Sequence, residues 1–156
     1  MVAVLLVCLL LPSPPAQDRD AARQELARLR MDANAKLIES DFTGAIQGYN
    51  RYLKLKPNHI EVLLSRGLAY YEAGQKPRAA VDILKARGLI QKQLTRDKGN
   101  ARLYYHLANS HRYLHEYEKA IQHLETAARL DPTREIYRIE LEQVKAERQD
   151  GLPSPN

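Results

Sequence analysis

The sequence predicts an all-α fold, a solenoid of three helical hairpins closed by a capping helix. Three observations carry that prediction. The chain resembles itself in phase, its helix-length segments come in pairs, and turn and capping residues fall between them. The composition agrees: 44% apolar and 28% charged residues in 156 suit one folded, helix-rich domain or short repeat array. With no Trp, one Phe and nine Tyr, the tyrosines must supply most of the aromatic packing.

The register is read from Ala33, Asp41-Phe42, Ala45-Ile46, Tyr49 and Pro57. A shift of 34 residues brings Gly67, Gln75-Lys76, Ala79-Ala80, Ile83 and Gln91 into those places. A further shift of 41 brings Ala108, Glu116-Tyr117, Ala120-Ile121, Leu124 and Pro132. The second spacing is longer by seven residues, so a single insertion at 94–100 accounts for the difference. Small residues at Ala33, Gly67 and Ala108 on the first helices oppose Ala45, Ala79 and Ala120 on the second, which lets each pair approach closely. Tyr49, Ile83 and Leu124 are then available to fill the space between neighbouring hairpins. One such hairpin cannot bury its own apolar face, so about three are the minimum.

In chain order, residues 1–16 open with MVAVLLVCLLL, followed by PSPP. About ten apolar residues are too few to span a bilayer, which takes roughly twenty. The stretch fits the apolar core of an export signal with Ala16 before a cut, and the mature chain is then periplasmic or secreted. The alternative is a cytoplasmic chain with an apolar N-terminal segment. Cys8 is the single cysteine and lies in this segment, so a mature chain forms no disulfide.

The helical array is expected over 17–149, with units at 26–59, 60–93 and 101–134. Residues 18–30 extend the first helix. Gly74 suits the left-handed conformation at a helix end and Pro77 the first turn of the next helix. The insertion elongates that helix to about Thr95, with Leu84, Leu89 and Leu94 for packing. Arg96–Asn100 then forms a loop with Asn100 as N-cap. Asp131-Pro132 stops the last paired helix. A capping helix over 135–149 turns Ile136, Ile139, Leu141 and Val144 inward and Glu140, Glu142, Lys145 and Glu147 outward. Residues 150–156 are expected to be a disordered tail.

The three units resemble the tetratricopeptide repeat (TPR) family, which has a small residue at repeat position 8, Ala at 20, a large apolar residue at 24 and Pro at 32. The third unit, LYYHLANSHRYLHEYEKAIQHLETAARLDP, carries the resemblance best. Departures are Asp32 at position 7, Tyr52 at position 27 and Gln91 in place of the closing Pro. The resemblance implies a right-handed superhelical solenoid and a non-catalytic scaffold that binds protein or peptide in a concave groove lined by the first helices. Its groove positions fall on Ala27, Arg30, Asn34, Leu37 and Ile38 in the first unit. They fall on Glu61, Leu64, Leu68, Tyr71 and Glu72 in the second, and on Arg102, Tyr105, Asn109, Arg112 and Tyr113 in the third. Arg30, Asn34, Leu64, Leu68, Tyr71, Arg102, Tyr105, Asn109 and Arg112 are the candidate peptide-contacting residues. Asn can pair with a peptide backbone, Tyr offers rigid contact area and Arg can hold a carboxylate in bidentate fashion. Some family members hold the C-terminal carboxylate of heat-shock chaperones with a five-residue clamp. Arg30, Asn34, Ser65, Arg102 and His106 stand at those places, of which Asn34 alone is identical and Arg30 and Arg102 keep the charge. The expected partner is a protein or peptide, with an acidic or C-terminal carboxylate segment as one form of it.

Other classes find less support. A net charge of +5 is compatible with nucleic-acid binding, yet the Lys and Arg interleave with Asp and Glu and form no polybasic run, so no nucleic acid is expected. No Gly-rich phosphate loop, nucleophile elbow or paired-Cys pattern occurs, and no enzyme activity or cofactor is expected. His111 and His115, four apart, have a spacing that can hold zinc, but ordinary packing is the better reading. A self-assembling solenoid stacked through its terminal helices is the structural alternative.

Overall fold

In the computed structural model, which describes residues 16–150, seven helices follow one another. They are α1 (Ala16–Ile38), α2 (Phe42–Leu55), α3 (Ile60–Glu72), α4 (Lys76–Leu94), α5 (Ala101–Arg112), α6 (Tyr117–Leu130) and α7 (Glu135–Asp150). All but the last residue of the expected export signal, Cys8 included, and all but the first residue of the expected tail lie outside the described residues; Ala16 begins α1. That first residue, Asp150, is helical. No helix among the described residues is long and apolar enough to cross a membrane.

Local chemistry sets the helix ends. Asp41 Oδ1 accepts from Gly44 N at 2.9 Å, and Asn100 Oδ1 accepts from Leu103 N at 3.3 Å. His59 caps α3 through Nδ1, which accepts from Val62 N at 3.4 Å. The turn inside each hairpin is the same in all three units. Asp41 N, Gln75 N and Glu116 N each donate back across five residues, to the carbonyls of Lys36, Tyr70 and His111. This closure needs a left-handed residue just before it. Gly74 takes that role at φ 74°, while Ser40 (φ 61°) and His115 (φ 60°) take it despite their side chains.

Each helix packs on the next, and α1 on α3 and α3 on α5 also touch, which aligns the first helices along one face. The small residues do what their positions predict: Ala33, Ala45, Ala108 and Ala120 are fully buried. A Cβ on Gly67 would sit 2.9 Å from Ile83 Cγ1 and 3.4 Å from the Ala79 carbonyl oxygen. Tyr49, Ile83 and Leu124 are buried between units. Tyr52, where the family has Ala, is buried edge-on against His59, with ring centroids 5.1 Å apart.

Two parts differ from expectation. Helix α4 is long, as the insertion predicts, but it packs through Ala86 and Ile90, with Leu89 and Leu94 partly buried and Leu84 48% exposed. In α7 the buried positions are Tyr137 and Val144, with Leu141 packed beside them. Ile136 and Ile139 are 41% and 48% exposed. The first half of the inward stripe is therefore rotated by about one residue, while Leu141 and Val144 face inward as expected. Tyr137 packs with Ala101, Ala127, Tyr104 and Tyr105. The rotation also brings Glu140 and Glu147, expected on the outer face, against α5.

An ion pair inside the array goes beyond the sequence reading. Arg66 grips Asp82 with Nε and Nη2 at 2.6 and 2.7 Å, and Nη1 donates to Asn50 Oδ1 at 2.6 Å. Asp82 is 4% exposed. One guanidinium thus links α3 to α4 within its hairpin and to α2 of the preceding one. Arg66 stands at the repeat position held by Asp32 and Leu107, so its departure from an apolar residue was the available signal.

Candidate functional site

The shared face of α1, α3 and α5 encloses a depression of about 380 Å³. Arg30 and Asn34 reach it from α1, Leu64 and Leu68 from α3, and Tyr105 and Asn109 from α5. These six of the nine candidate residues come together because each stands four residues along the same helix face from the other in its pair. Leu64 is a correction in kind. It is only 5% exposed and belongs to the core, so it forms floor and not contact surface. Ile38 points elsewhere and is 83% exposed. Arg102 lies in an adjoining hollow with His59, Glu61 and His106, and Tyr71 and Arg112 lie in another with Glu72, His115 and Glu147.

A buried tyrosine holds one of the groove asparagines. The buried Tyr49 hydroxyl donates to Asn34 Oδ1 at 2.8 Å, and burial raises its pKa against a smaller opposing effect of Ser65. Tyr105 lines the same depression as Asn109, and its pKa is raised chiefly by burial. Burial pushes the pKa of Tyr113 up to about 12, so it remains a neutral phenol at any physiological pH.

The cations are less free than the sequence suggests. Arg30 Nη1 lies 3.4 Å from Glu61 Oε2, and Arg102 pairs with the other oxygen of the same carboxylate. His106 Nε2 is also 3.4 Å from Glu61, yet burial, with Arg102 and His59 nearby, lowers its pKa to about 4 and keeps it neutral. Arg112 is the larger correction. Its Nη1 donates to Glu140 at 2.6 Å, while its Nε and Nη2 hold both oxygens of Glu147. This arginine fastens α7 to α5 and is not available to clamp a ligand carboxylate. Spacing could not reveal this, because the partners lie 28 and 35 residues away on another helix.

The histidines of the third unit are apart in role. His111 is buried, bonded to Glu116 and stacked on His123 with centroids 5.2 Å apart. His115 lies beyond the end of α5, bonded to Tyr71 and Tyr117 at 3.1 and 2.9 Å. Among the described residues no group of three His, Cys, Asp or Glu side chains is arranged to hold a metal ion.

Comparison with known proteins places this geometry. A tetratricopeptide repeat family model matches residues 101–134. The small glutamine-rich tetratricopeptide repeat-containing protein 2 of Mycosarcoma maydis is 27% identical over 119 residues, covering 76% of this chain and 31% of that protein. The chain thus spans under a third of that relative's length. Among solved structures, the TPR2B domain of yeast Sti1 in its Hsp70 complex is similar with a TM-score of 0.55, at 20% identity and with 83% of this chain and 99% of that one covered. The second TPR domain of human RPAP3, in complex with the HSP70 peptide SGPTIEEVD, has a TM-score of 0.51 at 19% identity, covering 79% of this chain and 97% of that one. These two likenesses are of fold. Taken with the family-model match to the third unit, three hairpins in one register, small residues packed at equivalent places and the same closing turn in each unit, they give the chain a tetratricopeptide-type repeat fold.

Proposed function

We propose that the chain is a non-catalytic scaffold whose α1, α3 and α5 face binds an extended or helical segment of another protein. One observation carries the reading: three successive first helices converge on a single depression containing two asparagines, one of them held in place by a buried tyrosine. With its carbonyl oxygen engaged by Tyr49, the Asn34 amide keeps N–H donors for a peptide carbonyl. Leu68 and Tyr105 offer apolar and aromatic contact between the polar pair. The yeast Sti1 and human RPAP3 domains, in complex with Hsp70 and an HSP70 peptide respectively, support peptide capture on this fold.

Charge at the N-terminal end of the groove narrows the ligand. Arg30 and Arg102 share the single carboxylate of Glu61, and His106 is neutral, so one cation is in excess. A ligand carboxylate, at a C-terminus or on an acidic side chain, fits there in competition with Glu61. The test is selection of peptides on the full chain from a random library, followed by affinity measurement with Asn34→Ala and Asn109→Ala. Each removes a donor and should weaken binding about fivefold or more while helicity is kept. Selected peptides that bind both variants as tightly as the wild type would sink the groove reading.

A further inference from the structure

At the other end of the same face lies a second hollow, of about 390 Å³, between the end of α3, the α5–α6 turn and the end of α7. Its walls are Tyr71, Tyr113 and Tyr117, with the carboxylate of Glu72 at its edge. We propose that this hollow receives a basic side chain, lysine or arginine, of the peptide bound along the groove. The inference rests on the groove reading and adds to it a required cation toward the C-terminal end of the array.

Three features argue for a cation. First, the aromatic rings are held in place. His115 takes φ 60°, where the second unit has Gly74, and its ring is tied between the Tyr71 and Tyr117 hydroxyls. Second, a ring of the hollow already faces a cation. The Lys76 ammonium lies 5.6 Å from the centroid of Tyr71, in the range where an aromatic face attracts positive charge. Third, the local charge has a carboxylate in excess. Glu140 and Glu147 face Arg112, while Glu72 is exposed and forms no ion pair with any described residue. Counting Glu72, Glu140 and Glu147 against Arg112 and Lys76 leaves one negative charge.

The two ends of the groove are therefore opposite in sign, one cation in excess beside Glu61 and one carboxylate in excess beside Tyr71. A ligand carrying an acidic group and a basic side chain is held in one direction only.

The probe is Nα-acetyl-arginine amide, titrated into isotope-labelled full chain and followed by amide chemical shifts, with Nα-acetyl-glutamate amide as the acidic counterpart. Saturable shifts at Tyr71, Glu72, His115 and Tyr117 with the arginine probe alone are expected. Glu72→Gln should weaken them about two- to fivefold, and Tyr71→Leu should weaken them by a similar factor. Glu72 is exposed, so its replacement leaves the fold intact. Shifts unchanged by Glu72→Gln, preference for the acidic probe, or no saturation with either would overturn the proposal. Its fate is separable from that of the groove. Library peptides sensitive to Asn34→Ala but lacking any dependence on Glu72 would refute the basic pocket and leave the groove standing. Saturation by the arginine probe with no groove-binding peptide would do the reverse.

Discussion

Removing the Asp82 carboxylate should destabilise the chain by about 3 kcal/mol, and the size of that effect follows from what is left behind. In Asp82→Ala the Arg66 guanidinium, whose side chain is 19% exposed, loses bonds of 2.6 and 2.7 Å and keeps only Asn50. Breaking one side of a buried ion pair costs about 3–5 kcal/mol because a charge stays buried without its partner. The lower end applies, since Arg66 retains some access to water and lies 5.8 Å from the face of Tyr70. The measurement is urea unfolding followed by far-ultraviolet circular dichroism. With a slope of about 1–3 kcal/mol per molar for a small domain, the midpoint should fall by roughly 1–3 M. A second variant separates loss of a pair from loss of packing. Arg66→Leu combined with Asp82→Ala leaves no unpaired charge and puts at position 66 the residue that the third unit has at Leu107. It should be more stable than Asp82→Ala alone. A midpoint shift near zero for Asp82→Ala, or a double variant as unstable as the single one, would refute the reasoning.

Three further outcomes are expected from the same assay. Ser40→Gly relieves a left-handed residue at φ 61° and should stabilise by about 0.5–1 kcal/mol. Gly88→Ala, in the interior of α4 with nothing within 4 Å of the added Cβ, should stabilise by up to about 1 kcal/mol. Gly67→Ala should instead destabilise, because its Cβ meets Ile83, itself buried and unable to move aside. Acid should weaken the fold in a defined window. The folded pKa of His106, about 4, lies below its ordinary 6.5, and burial lowers those of His59 and His123 as well. The unfolded chain then binds more protons across this interval, so stability falls as pH drops from about 6.5 toward 4. The His106 contribution lost between pH 7 and 5 is up to about 2 kcal/mol. His106→Gln should flatten that profile, and an unchanged slope would contradict it.

What the sequence determined by itself is the rhythm of the array. Ala33 against Ala45, Gly67 against Ala79 and Ala108 against Ala120 recur in register, and helix pairs pack where small residues allow it. The seven-residue insertion lengthens α4 and ends at the Asn100 cap because a helix can absorb about two turns without losing its phase. Groove membership of Arg30, Asn34, Leu68, Tyr105 and Asn109 was legible for the same reason, since their repeat positions place them on the first helices. Tertiary structure alone decided which charges meet. Glu61 takes Arg30 from one unit and Arg102 from another, Arg66 joins three helices, and α7 turns Tyr137 inward and hands Glu140 and Glu147 to Arg112. Repeat register fixes a residue's place along its own helix. An ion pair between units depends on how far one helix is rotated against another, which is set by packing at residues such as Tyr137, far from either partner in sequence.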